Sequence, residues 1–228
     1  MAAMHAMRRD GVELRAVAIS EDGKATGIET TDIKPISRRE PLQQAMEGCD
    51  ILKLNITDSS SREQLVTTFQ GCDAVVACPG SRQSGIANTC AKGARQIVDA
   101  MQQANVSRLV VLSSMGIGDD YLPTNCMKCF WGCLLTCVWP STRRDLEQME
   151  AIVTESDLDY LLVRPMGVDP GELPRNSYKL VTGKGQGGLP ITVSKDDVGL
   201  CLLEEAIAPS HSKTAVTIGR DDAAKTAV

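Results

Sequence analysis

Ser107-Arg108-Leu109-Val110-Val111-Leu112-Ser113-Ser114-Met115-Gly116 is a branched, apolar run that stops abruptly in two hydroxyls and a glycine. A run of about four to eight such residues between turn signals reads as a strand buried on both faces. The stretch therefore predicts a strand over 108–113 of a mostly parallel sheet. A strand ending in Ser-Ser-x-Gly brings small polar side chains to the carboxyl edge of that sheet. In open α/β sheets ligands bind in the crevice outside that edge. An ordinary core strand with serines in the following turn fits the stretch equally well.

On the N-terminal side the pattern is strand, helix, strand, helix, strand. Residues 12–19 read as a strand behind a helix end at 2–10, with Gly11 as its cap. Residues 37–46 read as a helix, 50–56 as a strand, and 74–78 as another. Ser60 with Glu63 predicts a capping box for a helix reaching Phe69. Residues 86–103 read as a long helix, with Ile86, Cys90, Ala94, Ile97, Val98 and Met101 at helical spacing. On the C-terminal side, 119–140 is an insertion with an apolar middle, 143–154 is helical, and 159–164 is a strand ending at Pro165. Short strands at 177–182 and 189–193 flank the Gly-rich turn 183–188. Ser194 with Asp197 caps a helix to about Ala206, and 214–218 is a last strand. Alternating strands and helices predict a parallel sheet covered on both faces.

The chain has 228 residues, enough for one large domain, and no linker divides it. Its hydrophobic share of 43% and charged share of 23% exclude a disordered or membrane class. A net charge of -5 with no basic stripe excludes a nucleic-acid partner. No signal peptide precedes the nine cysteines, which points to reduced thiols and a cytoplasmic location.

Several segments together resemble the atypical short-chain dehydrogenase/reductase group, with its NmrA-like and biliverdin-IXβ reductase/flavin reductase members. They are Asp73-Ala-Val-Val-Ala-Cys-Pro-Gly-Ser-Arg82, Gly93-Ala-Arg-Gln-Ile-Val-Asp-Ala-Met101 running into Val106 to Ser114, Ser156 to Pro165, and Val193-Ser-Lys-Asp-Asp-Val-Gly199. The resemblance implies a Rossmann-like sheet that binds NAD or NADP across its carboxyl edge. It places Ser114 beside the nicotinamide and the substrate, with Ser113 next to it, as the catalytic pair. It implies cofactor contacts for Gly80, where small size lets the backbone approach, and for Pro79, Ser81, Arg82 and Leu112. Asn55-Ile56 match a pair beside the adenine, and Pro165-Met166 match a pair beside the nicotinamide.

The departures from the group are specific. The group opens with a strand and a Gly-x-x-Gly-x-x-Gly turn that cradles the pyrophosphate. Neither is found here, so the strand at 12–19 and the strand at 74–78 must pair directly or leave edges unpaired. The expectation is a sequence that starts inside a longer natural chain, with a degenerate protein as the other reading. Asn55 stands where the group has a carboxylate, although an amide also hydrogen-bonds a base edge. Ile19-Ser20-Glu21 stands where an arginine would hold the 2′-phosphate of NADP. Thr142 and Leu146 stand where typical short-chain dehydrogenases carry Tyr-x-x-x-Lys, so neither is a general acid. The proton then comes from solvent or the substrate. His5 and His211 fall in terminal regions that read as exposed.

Cys126, Cys129, Cys133 and Cys137 share one helical face in the insertion. A Cys₄ metal site is the sharp reading, but only the first two have ligand-pair spacing. Apolar packing on a lid helix is preferred, and no metal is expected. The insertion also holds both tryptophans, which suits a planar aromatic substrate or a partner surface over 126–139. It is too short to span a bilayer. The Gly-rich stretch 183–188 precedes no helix and reads as a flexible turn. Asp196-Asp197 read as charge at a helix N-terminus, and Arg143-Arg144 as a solvated face.

The chain thus reads as α/β, a Rossmann-like doubly wound parallel sheet with its first strand missing and a small C-terminal substrate-side subdomain. It is one domain over 1–228 with a lid-like insertion at 119–140. The expected function is an NAD(P)H-dependent oxidoreductase that reduces a planar conjugated small molecule, flavin, quinone or biliverdin-like, by hydride transfer. Two other classes stay open: a non-catalytic NmrA-like dinucleotide sensor or partner-binding protein, and a truncated form that binds no cofactor.

Overall fold

The computed structural model of the chain describes residues 16–19, 51–79, 88–118, 140–169, 177–182 and 192–221. Strands β1 (Ala16–Ile19) and β2 (Ile51–Leu54) form a parallel pair. After a 3₁₀ turn at Ser59–Ser61 come helix α1 (Arg62–Phe69), strand β3 (Ala74–Ala77), helix α2 (Thr89–Ala104) and strand β4 (Arg108–Leu112). Helix α3 (Pro140–Thr154), strands β5 (Asp159–Pro165), β6 (Val168–Asp169), β7 (Tyr178–Thr182) and β8 (Val193–Ser194), helix α4 (Lys195–Ile207) and strand β9 (Thr214–Arg220) complete the order.

The main sheet runs β3-β4-β5-β9-β7. Its first four strands are parallel, and β7 pairs antiparallel to β9. Strand β4 lies between β3 and β5, and its alternation sorts the two cores. Leu109 and Val111 join Val75, Ala77 and Leu162 in a cluster with Leu65, Ile97, Met101, Met149 and Val153 from α1, α2 and α3. Val110 joins Leu161, Val163, Val216 and Ile218 in a second cluster with Val198, Cys201 and Leu202 of α4. A sheet apolar on both faces must be covered on both, and the result is the layered α/β/α arrangement expected from the sequence.

The expected helical stripe of α2 is observed from Cys90 on, with Cys90, Ala94, Ile97, Val98 and Met101 all buried, while Ile86 lies outside the described residues. The Ser194 cap on α4 is also as expected, since its Oγ accepts from the Asp197 N–H at 3.0 Å. Its flanking Asp196 and Asp197 are buried, not merely charges near a dipole. The capping box at Ser60 is not formed. Asp58 takes that role, accepting from the Ser60 N–H at 3.0 Å, and the chain completes a 3₁₀ turn before α1 begins. Those bonds with Ser60 hold the Asp58 carboxyl below the usual carboxylate range.

The strands expected around the Gly-rich turn do not pair with each other. β7 adds to β9, where Tyr178 and Leu180 pack on the second cluster and Val181 covers Met166, while β8 pairs with β6. The main-sheet edge at β9 gives β7 apolar surface to bury, which a partner strand in a local hairpin would not. Among the described residues β1 pairs only with β2, and β3 has β4 as its only partner. Among the described residues, then, β1 and β3 do not pair directly with each other. The helices expected at 2–10 and 37–46 and the turn 183–188 lie outside the described residues.

Candidate functional site

The carboxyl ends of β3, β4 and β5 lie side by side, because register pairs Ala77 with Val111 and Leu112 with Val163. Pro79, Leu112, Ser113, Ser114, Pro165 and Met166 are thereby brought to one edge. The chain after β4 turns on Gly116 (φ +79°) and Gly118 (φ +66°), left-handed conformations that favour glycine. This elbow leaves Ser114 half-buried with no hydrogen-bond partner among the described residues. A polar group at a ligand edge without a protein partner has its bonding capacity open to a ligand.

Ser113 points the other way in its bonding. Its N–H donates to the Val163 carbonyl at 2.8 Å, and its Oγ donates to Glu150 Oε1 at 2.5 Å. Glu150, on α3, also receives the Arg164 fork: Nε to Oε1 at 3.0 Å and Nη2 to Oε2 at 2.5 Å. All three side chains are buried. Pro165 continues the β5–β9 ladder, and Met166 is fully enclosed against Val181, with its N–H on the Ile218 carbonyl at 3.1 Å. The expected nicotinamide contact of Met166 thus falls to a side chain enclosed by the protein itself. Leu112 packs against the second cluster, and Pro79 is half-buried at the end of β3.

Asn55 and Ile56 follow β2. The Asn55 side-chain oxygen accepts from the Thr57 N–H at 3.1 Å and Thr57 Oγ1 at 2.8 Å, which builds a tight local turn. Ile56 is buried, and its Cγ2 packs against the Cα face of Gly93 in α2. Its side chain is part of the core cluster. Gly80, Ser81 and Arg82 lie outside the described residues, as do Cys126, Cys129, Cys133 and Cys137.

The residues that sequence reasoning missed are on α3. Glu150 falls at a core-facing position of the stripe Leu146, Met149, Val153, and an acid inside an apolar stripe is the signal that could have found it. Asp145 is buried one turn earlier. Its carboxylate accepts from the backbone N–H of Cys90 at 2.9 Å and of Ala91 at 2.8 Å. It therefore caps the N-terminus of α2, whose own N-cap residue, Asn88, makes no side-chain cap bond. That helix end already holds an anion, so it is no phosphate seat. Thr142 is exposed and Leu146 is buried in the core.

His211 differs from its expected exposure. It is half-buried at the opposite, amino edge of the sheet, with Nδ1 2.8 Å from Glu205 Oε1. Glu205 and Asp159 there also pair with the buried Arg108. This network locks the start of β4 and β5 to the segment between α4 and β9, remote along the strands from Ser114.

The edge offers a serine hydroxyl beside a left-handed elbow. The described residues supply no pyrophosphate cradle. Comparison with known proteins agrees on the cofactor. A family model for NAD(P)H-binding domains matches residues 36–209. Protein TIC 62, chloroplastic, from Arabidopsis thaliana, is 27% identical over 147 residues, or 60% of this chain. The match spans only 21% of that protein's length. Among solved structures, ChuY from Escherichia coli CFT073 is similar with a TM-score of 0.65 at 16% identity, covering 97% of this chain and 91% of that one. A wide-type short-chain dehydrogenase/reductase from Veillonella parvula in complex with NADP has a TM-score of 0.63 at 15% identity, covering 91% and 95%. These likenesses show the Rossmann-like fold. With more than half of its length matched by the family model, the chain belongs to the NAD(P)H-binding family, with the fold of the NAD(P)-dependent oxidoreductases and NAD(P) as its cofactor.

Proposed function

We propose that the chain is an NAD(P)H-dependent reductase of the atypical short-chain dehydrogenase/reductase type, acting on a planar conjugated molecule of the flavin, quinone or biliverdin class. One observation carries this reading: the edge offers a hydrogen-bonding serine but, among the described residues, no proton donor beside it. Glu150 is committed to Arg164, His211 lies at the other edge, and Leu146 is core. Substrates whose reduced form takes its proton from solvent suit such a site; ketones that need an enzyme acid do not. When bound, the nicotinamide supplies the hydride. Ser114 hydrogen-bonds the substrate or the carboxamide and orients one ring on the other. Pro79 and Leu112 border the same edge, and Gly80, Ser81, Arg82 and Asn55 are the remaining cofactor contacts in this reading. The apolar stretch 126–139 is the candidate cover for the substrate or a docking surface for a protein partner. No helix among the described residues is long and apolar enough to cross a membrane. The reduced-thiol composition favours the cytoplasm.

The test measures NADPH and NADH affinity by nucleotide fluorescence and oxidation with FMN, a naphthoquinone and biliverdin. Ser114→Ala is expected to lower kcat by about tenfold, as losing one net hydrogen bond in the transition state would, with little change in nucleotide affinity. Tight binding without oxidation of either nucleotide refutes the reductase and favours a dinucleotide sensor. Unchanged turnover removes Ser114 from the site.

A further inference from the structure

The geometry points to Glu150 as a positioning residue that, with Arg164, holds the Ser113–Gly118 elbow and thereby fixes Ser114. This rests on the reading of Ser114 as the substrate-side hydroxyl. Two contacts grip the elbow at opposite ends. At its start, Ser113 Oγ donates to Glu150 Oε1. At its end, a Cβ built on Gly118 would lie 2.8 Å from Arg164 Nη2, so the loop backbone there lies close against the guanidinium. The guanidinium is in turn fixed by its two bonds to Glu150. One ion pair therefore defines both ends of the turn that presents Ser114.

Stability alone does not account for this arrangement. A buried ion pair is often no more stabilising than apolar side chains of the same volume. Glu150 sits among Leu146, Met149 and Val153, where an apolar residue would continue the stripe. What the carboxylate adds is direction: Oε1 receives both Ser113 and Arg164, so the ends of β4 and β5 cannot shift independently of α3. Ser113 is then an intermediary between the brace and Ser114, not a group that touches substrate.

The test has an arm that needs no nucleotide. Ser113→Ala leaves the Glu150–Arg164 pair intact and removes only the grip at the start of the elbow. Amide exchange over 113–118 in the nucleotide-free full chain is expected to accelerate about tenfold, the value of one net hydrogen bond, with the rest of β4 and β5 unchanged. The second arm follows NADPH oxidation by a naphthoquinone, and NADPH affinity by fluorescence, in Ser113→Ala, Ser114→Ala and the double variant. Ser113→Ala is expected to lower kcat about tenfold with unchanged nucleotide affinity, and to add little once Ser114 is gone, because the two act as a unit. Unaltered exchange in the first arm, or fully multiplicative losses in the double variant, overturns the positioning role. A chain that binds no NADPH refutes the proposed function instead, and the exchange arm then decides the brace by itself.

Discussion

Asp145→Asn isolates the carboxylate that α3 places on the N-terminus of α2. The native carboxylate accepts from two backbone N–H groups, at 2.9 Å and 2.8 Å, and is buried. The amide keeps one acceptor oxygen and turns an NH₂ toward the other N–H. One buried donor is left unpaired, at about 1–3 kcal/mol. The charge at the positive end of the helix is also lost, at about 0.5–2 kcal/mol in a partly buried geometry. The sum is about 1.5–5 kcal/mol, a large part of the roughly 5–15 kcal/mol that holds a domain together. Urea unfolding followed by circular dichroism reads this as a lower midpoint with an unchanged slope. Asp99→Asn is the matched control, because Asp99 lies on the same helix and pairs with Arg62 at 2.8 Å, but with both side chains partly exposed. Exposed pairs are worth about 0–1 kcal/mol. If Asp145→Asn costs no more than Asp99→Asn, the tertiary cap contributes nothing and the role assigned to Asp145 is wrong.

Two further outcomes are expected. Burial, then the Glu205 charge, pushes the Cys201 thiol from 9.0 up to about 12. The folded state thus keeps a proton that the unfolded chain loses. This contribution to stability is complete below pH 9.0 and is lost as pH rises toward about 12. Cys201→Ala should make the alkaline decline shallower by about 1.4 kcal/mol per pH unit within that window, and an unchanged slope in urea titrations at stepped pH would contradict it. Gly118→Ala should cost more than Gly71→Ala. Both have positive φ, at about 1–2 kcal/mol for an L side chain, but only at Gly118 does the new Cβ meet the Arg164 guanidinium. Equal thermal shifts for the two would show that the elbow does not rest on Arg164.

How far the sequence could be read depended on the range of the interactions involved. Strand β4 was legible because Leu109 to Leu112 are consecutive apolar residues, as a strand buried on both faces needs, and α2 because its stripe repeats along the chain. The Ser194 cap was legible for the same reason, since donor and acceptor are three residues apart. The Ser60 box failed where two local acceptors competed, and Asp58, two residues ahead of Ser60, closes an Asx turn before any helix can start. The partners of the strands on either side of 183–188 were not legible, because β7 finds its partner in β9, with Val181 against Met166, and β8 finds its partner in β6. The site divides along the same line. Ser114 was found because it ends a recognisable strand. Glu150 joins Ser113 across 37 residues and Arg164 across 14, and Asp145 reaches α2 across 55. No local pattern encodes such partners. What the sequence does carry is the cost of placing them: two acids on the buried side of one amphipathic helix, each unfavourable there unless something distant neutralises it. The acid that breaks an apolar stripe is therefore the residue to suspect of holding a site together, and in this chain both such acids on α3 meet backbone or guanidinium around the edge where Ser114 stands.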